Sequence, residues 1–387
     1  MSDAAADGWY SAGDGDVAFG GQFVAPALLP VLDRLDAAFR AAVADRGFAA
    51  ELARLLADHV GRPTPLTTAR LDADGATVLL KREDLTSSGG SFGDSALGQC
   101  LLARRMGFEA VVADTGSGDN GVAIAAAAAR LGLAATIYIP DGATRRQALM
   151  ADRMRASGAT VVAIPGDASL LHQAMSGAIQ HWMGQADRCF YIAGGPIGPH
   201  PYPAIVRHFH HAIGEEVRRH LAERCGRPPA AAVASFDGGG TAMGLFAAFL
   251  DTPARLILAE PGEGGGAFAN GRPGVLHGAH TLVSQDADGQ LPEARPFAPG
   301  MVYPAAPPEL AAWVRQGRVT AVAVDESAAV RSLRDAATRL GLLISIEAAF
   351  ALAQARRTAA LLPPDATVVA VVNAGGAKDL ALFEERA

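Results

Sequence analysis

Residues 366–379 read ATVVAVVNAGGAKD, an apolar β-branched run that breaks into a glycine turn. A run apolar at every position suits a strand covered on both faces, as in a parallel sheet with helices on each side. Outward from it the pattern repeats in ATVLLK (76–81), EAVVAD (109–114), AATIYIP (134–140), ATVVAIP (159–165), AAVASF (231–236), ARLILAE (254–260) and VTAVAV (319–324). Helical stretches such as DSALGQCLLARRMG, NGVAIAAAAARLG and PAIVRHFHHAIGEEVRRHLAER lie between them. This alternation predicts an α/β fold of parallel sheets flanked by helices, with ligands beyond the carboxyl ends of the strands.

The loops after the strands are therefore the ones to read for chemistry. Three of them are glycine turns running toward helices: DTGSGDNG (114–121), FDGGGTAMG (236–244) and NAGGAKD (373–379). Glycine lets backbone approach a ligand, and the free N–H groups of a helix start attract anions. One such turn is a weak signal, because plain connections use glycine too; three on one scaffold predict a common pocket. Stretches at 261–275 and 285–308, rich in Gly, Pro and Ala, read as linkers and suggest a lid over that pocket.

Composition narrows the classes. At 387 residues, half of them hydrophobic and 19% charged, the chain has room for two domains and a large core. A net charge of -7 argues against nucleic-acid or anionic-membrane partners. No apolar run reaches the roughly 20 residues that span a bilayer. The acidic stretch 1–16 reads as a mobile tail. Cys100, Cys189 and Cys225 form no paired framework, which fits a cytoplasmic location. Only Lys81 and Lys378 carry a side-chain amine.

Several stretches, taken in order, resemble the β subunit of tryptophan synthase, a fold-type II pyridoxal-phosphate (PLP) enzyme. They are FGGQFV (19–24), GRPTPL (61–66), LKREDL (80–85), ALGQ (96–99), RQALMADRM (146–154), GPHPYP (198–203), IGEE (213–216), GRPGVLHGA (271–279), YP (303–304) and AKD (377–379). The resemblance implies a two-domain architecture with the site in the interdomain cleft. Residues 1–57 and 91–205 would form one domain, and 58–90 with 206–387 the other. It also implies a homodimer and allows an α-subunit-like partner.

Against that family the chain departs at the cofactor. The family reads His-Lys-Ile-Asn-Asn before Ala-Leu-Gly-Gln, and its lysine forms the Schiff base; here the frame reads Ser91-Phe92-Gly93-Asp94-Ser95. The family's phosphate loop, Gly-Gly-Gly-Ser-Asn-Ala, aligns with Asp237-Gly238-Gly239-Gly240-Thr241-Ala242. A carboxylate there would repel a phosphate by several kcal/mol at an effective dielectric near ~20. The serine that meets the pyridine nitrogen aligns with Gly375, and the family's substrate-contacting aspartate with Val302. These changes predict a divergent homologue with no cofactor: PLP is not expected, and Mg²⁺ is the less favoured alternative because no metal-ligand spacing stands out.

What remains is a pocket of acids. Asp114, Asp119 and Glu347 are the candidate catalytic residues, since crowded carboxyls push their pKa values apart and divide acid and base roles. Ser91, Phe92, Thr115, Gly116, Ser117, Gly118, Asn120, Asp237, Gly238, Gly239 and Gly240 are the candidate substrate-binding residues; no residue is assigned to a metal. Asp119 and Asp94 also read as helix N-caps, and Asp237 as a turn residue. His208, His211 and Glu215 read as one face of an amphipathic helix. The functional expectation is a PLP-independent lyase or cyclase of specialised metabolism, with acid–base catalysis on a small metabolite (cyclisation, aldol-type condensation or dehydration), and not a functional tryptophan synthase. Its alternative is a catalytically inactive scaffold or partner subunit.

Overall fold

The apolar runs become strands because their side chains are covered on both faces. In chain order the strands are β1 (Trp9–Tyr10), β2 (Phe19–Gly20), β3 (Leu66–Ala69), β4 (Thr77–Arg82), β5 (Ala110–Asp114), β6 (Ala134–Pro140) and β7 (Thr160–Ile164). They continue with β8 (Cys189–Ile192), β9 (Ala231–Ser235), β10 (Arg255–Pro261), β11 (Gly271–Leu276), β12 (Ala279–Ser284), β13 (Val319–Val324) and β14 (Thr367–Val372). The helices are α1 (Leu29–Ala44), α2 (Arg46–Leu55), α3 (Gly93–Arg105), α4 (Asp119–Leu131), α5 (Ala148–Ala156) and α6 (Leu171–Gly184). After them come α7 (Tyr202–Cys225), α8 (Gly240–Ala247), α9 (Pro308–Arg315), α10 (Glu326–Leu340) and α11 (Ile346–Ala359). This computed structural model describes residues 8–11, 18–72, 75–142, 148–166, 171–262, 266–291 and 297–381, so most of the acidic stretch 1–16 lies outside the described residues.

Two parallel sheets carry the architecture. One runs β7-β6-β5-β8 and is parallel throughout. The other runs β13-β10-β9-β14-β4-β3, parallel except where β3 pairs antiparallel with β4. Each has its own core: Leu97, Val112, Ile124, Ile137 and Phe209 around the first, and Val233, Phe246, Leu258, Phe350 and Val369 around the second. No helix among the described residues is long and apolar enough to cross a membrane.

A buried ion cluster joins elements of both cores. Arg62 donates to Asp94 of α3 at 2.7 Å and to Glu216 of α7 at 2.8 Å, and its guanidinium also pairs with Glu83. Lys81 of β4 donates to Glu216 and to the Thr64 carbonyl.

The sequence reading differs from the structure over 261–308. Residues 271–275, read as the end of a linker, belong instead to β11, which pairs with β12 as an antiparallel hairpin, and β12 continues onto β2. Pro273 is tolerated because β11 is an edge strand, where a missing N–H costs no ladder bond. Nor is the following stretch a loose cover. Pro299 through Tyr303 are buried, Gly300 N–H donates to Glu347 at 2.9 Å, and Ser284 N–H donates to the Pro304 carbonyl at 2.7 Å. Bound this way, residues 297–305 form a wall, while 263–265 and 292–296 lie outside the described residues.

Candidate active site

The cleft lies beyond the carboxyl ends of β5, β8 and β9, where the topology of parallel sheets leaves a crevice. Together with the open space at its mouth it spans about 580 Å³, and it is bounded by Phe92, Asp114, Tyr191, Asp237, Gly300 and Tyr303, among others. Thr115, Gly116, Ser117, Asn120 and Gly238 also line it. Gly118, with φ at 97°, is the N-cap of α4, and Gly239, with φ at 87°, is the N-cap of α8. Gly240 opens α8, and Ser91 sits next to the cleft, its hydroxyl 2.6 Å from that of Thr241.

Asp114 ends β5 with its carboxyl facing the crevice. Tyr191 donates its phenol proton to Oδ1 at 2.8 Å, and Asn120 Nδ2 donates to the Asp114 carbonyl at 2.9 Å. Burial pushes the Asp114 pKa up to about 6, although the Tyr191 hydrogen bond pulls the other way. That value suits a group that takes and returns a proton near neutrality.

Asp119 is the first residue of α4, not its cap, which is Gly118. It accepts from Ser117 Oγ at 3.0 Å and lies 3.5 Å from Lys378 Nζ. Burial raises its pKa to about 6 against the pull of Lys378. Asp94 is not a cap either: Phe92 holds that position without a side-chain bond, and Asp94 belongs to the Arg62 cluster away from the cleft. The reason is the same in both cases: a buried cation competes for the carboxylate more strongly than backbone N–H groups do.

Glu347, in the first turn of α11, accepts from Gly300 N–H and lies 3.2 Å from Lys378 Nζ. Burial disfavours its charge, but Lys378 and the backbone donors outweigh that and hold the carboxyl below its usual range. Lys378 also reaches Asp379 at 2.8 Å, and although burial opposes it, the surrounding carboxylates raise its pKa. Asp237 is different. Asn373 Nδ2 donates to its Oδ2 at 2.6 Å, and burial, with Glu347 and Asp119 nearby, drives its pKa well up. Asn373 is oriented in turn by Ser345, whose hydroxyl donates to Asn373 Oδ1 at 2.9 Å.

Sequence reasoning missed Lys378, Asn373, Tyr191 and Tyr303 as site residues. Lys378 carried a signal, being one of two lysines. The other three carried none, since each reads as strand or loop filler until partners from other elements are placed beside it.

A family model described as "Pyridoxal-phosphate dependent enzyme" matches residues 57–374. The chain belongs to that family. It is 41% identical over 374 residues to "Tryptophan synthase beta chain" of Streptomyces coelicolor (strain ATCC BAA-471 / A3(2) / M145), covering 94% of this chain and 88% of the relative. Among solved structures it is similar to O-ureido-L-serine synthase, with a TM-score of 0.62, 22% identity, and 85% of this chain and 94% of the other covered. A fungal L-serine ammonia-lyase from Rhizomucor miehei gives a TM-score of 0.66 at 20% identity, covering 83% of this chain and 96% of the other. At such identities the two structures speak for the fold, the α/β two-domain architecture with flanking helices read from the sequence.

The comparisons overturn the expectations about the cofactor. A full-length match at 41% identity is a close relative of a tryptophan synthase β chain, not a divergent homologue that has left PLP chemistry. The PLP-independent lyase or cyclase, the inactive scaffold, the exclusion of tryptophan-synthase-type function and the absence of a cofactor all fall with it. Those expectations rested on Phe92, Asp237, Gly375 and Val302, a few positions of a pocket that many more residues build. Phe92 does remove an amine, but a cofactor is held by a whole pocket. Burial and the neighbouring carboxylates drive the Asp237 pKa well up, which favours its neutral form and weakens the repulsion expected of a carboxylate.

The residues present fit the phosphate end of PLP. A Cβ on Gly239 would lie 2.5 Å from Pro307 Cγ, and one on Gly195 would lie 2.6 Å from the Gly238 carbonyl, so only glycine fits this cradle. It opens onto the N–H groups at the start of α8, beside the hydroxyls of Ser91 and Thr241. The fit stops at residue 92, where no amine is present.

Proposed function

We propose that this chain is a PLP-dependent enzyme of the tryptophan synthase β kind, acting on a small amino acid. The observation that carries the reading is 41% identity across 94% of the chain to a tryptophan synthase β chain. When bound, PLP supplies an electron sink for bonds at the amino-acid α-carbon. The turn 238–240, with Ser91 and Thr241, holds the phosphate. Thr115, Gly116, Ser117, Gly118 and Asn120, at the start of α4, orient the substrate carboxylate through backbone and side-chain donors. Asp114 takes and returns a proton at its carboxyl, and Tyr191 fixes which oxygen is used. Asp119 and Glu347, gathered around Lys378, keep the rear of the cleft charged and dry. A homodimer, with room for an α-subunit-like partner, belongs to the same reading.

Phe92 gives the cofactor no covalent tether, so PLP is held by contacts alone and exchanges with solution. Titrating the purified protein with PLP tests this: a saturable change in the cofactor absorption is expected, and gel filtration should strip it. Phe92→Lys should retain the colour, and borohydride followed by peptide mass mapping should fix an adduct at position 92. A wild-type protein that shows no saturable PLP binding sinks the reading.

A further inference from the structure

Among the described residues the cleft offers no side-chain amine. Lys81 is fully buried elsewhere, donating to the Thr64 carbonyl at 2.7 Å and pairing with Glu216. Lys378 lies 2.8 Å from Asp379, 3.2 Å from Glu347 and 3.5 Å from Asp119. That cage of carboxylates holds its nitrogen as an ammonium, which has no lone pair to attack a carbonyl. Neither lysine lines the cleft, whereas the Phe92 ring does.

The same cavity is built at two ends. At one it meets Gly238, in the glycine turn before α8; at the other it meets Thr115 and Ser117, which lead into α4. Both N-caps are glycines, Gly239 and Gly118, so no cap side chain takes the N–H groups that each helix start presents. A ligand that meets both ends carries an acceptor or an anion at each. Along the wall between them Phe92 puts hydrocarbon where a tether would need nitrogen.

We propose that this cleft takes up from solution the preformed Schiff-base conjugate of PLP with a small amino acid, and that the conjugate enters and leaves whole. The inference rests on the cofactor reading and goes beyond it in saying where the covalent bond is made. In solution the amino group adds to the aldehyde carbon and water leaves. Hydrolysis reverses the step after release, and neither direction needs an oxidant or a reductant. An amine at position 92 would compete for the aldehyde carbon, and a phenyl ring does not. Joining the two pieces also lets the contacts at one end hold the other in place. A linked ligand whose ends engage together exceeds the affinity of either part by roughly 10²–10⁴.

The probes are PLP, L-serine and N-phosphopyridoxyl-L-serine, the borohydride-reduced conjugate, whose new bond does not hydrolyse. Titrated into the full-length protein, the reduced conjugate should bind at least ~10²-fold tighter than PLP or L-serine alone. In stopped flow, PLP premixed with L-serine should load directly. L-serine added to the PLP-loaded protein should change the absorption only as fast as PLP leaves, at a rate independent of L-serine concentration. Phe92→Lys should gain affinity for PLP and lose the preference for the conjugate, while Phe92→Leu, which adds no amine, should keep it. Should either variant fail to fold, the wild-type measurements decide alone. If the conjugate binds no tighter than PLP, or L-serine reacts on the loaded protein faster than PLP leaves, the proposal fails and the cofactor reading survives. If the conjugate binds while PLP alone never saturates, the reading of a free cofactor fails and the conjugate site stands. If none of the probes binds, both fall.

Discussion

Asp114 and Asp119 carry the same side chain five residues apart, and burial raises both to about 6, yet their neighbours differ. Asp119 lies within reach of the Lys378 ammonium, which stabilises its charge, whereas Asp114 is held by the Tyr191 phenol and its own backbone N–H beside the open cleft. A proton can therefore come and go at Asp114 without breaking an ion pair. With an amino-acid substrate that turns over, Asp114→Asn should lower turnover at least ~10²-fold, the usual worth of a positioned general acid or base. The wild-type rate should also rise through about pH 6 as Asp114 ionises, and that rise should vanish in the variant. Turnover within a factor of two of wild type would remove Asp114 from the chemistry. At this scale the sequence told much: Asp114 was placed at a strand end by its pattern alone. Phe92 was legible too, but a single side chain could not reveal how much of a pocket survives around it.

Elements decide what single residues cannot. Lys378 follows β14 in a short helical turn (Ala377–Asp379), while its partners come from α4 (Asp119), α11 (Glu347) and that same turn (Asp379). Removing the cation leaves three buried carboxyls facing one another. Lys378→Met should therefore destabilise the fold by about 3–5 kcal/mol, the cost of breaking a buried charge cluster on one side. Lys378→Arg should cost clearly less, and urea unfolding of both variants measures the difference. A Met variant as stable as wild type would show that the carboxyls simply take up protons. The sequence displayed every strand of the parallel sheets except β3 and β8. These are short runs, LTTA and CFYI, that lack a long apolar signature. The hairpin 271–284 was hidden because glycine and proline, the usual marks of a linker, stand here on an edge strand. The carboxylate cluster was hidden for a different reason: its members are up to 260 residues apart and meet only through strand order.

Across the whole molecule, buried titratable groups act on stability with opposite signs. Asp94, Asp114 and Asp119 bind protons more tightly when folded, each with a pKa near about 6. Their protonated forms favour the fold, so that contribution is complete below the unfolded value of 3.8 and is lost as pH rises through about 6. His208, His210 and His277 are pushed down to about 4 by burial, so the unfolded chain binds protons first and stability falls as pH drops below 6.5. The two sets overlap between pH 4 and pH 6.5 and flatten the curve of the intact protein. A difference between two proteins isolates one group. Asp114→Asn removes a single titration and keeps the shape of the side chain, so the histidine contributions cancel. Moving from 3.8 to about 6 corresponds to roughly 3 kcal/mol. Between pH 4 and pH 7 the wild type should lose on the order of 3 kcal/mol relative to Asp114→Asn, read as diverging urea midpoints. Most of that change should fall between pH 4 and pH 6. Asparagine keeps a carbonyl oxygen that can accept from Tyr191, and any constant change in that bond leaves the slope untouched, so a difference flat in pH would mean that Asp114 is charged in the folded protein throughout this range.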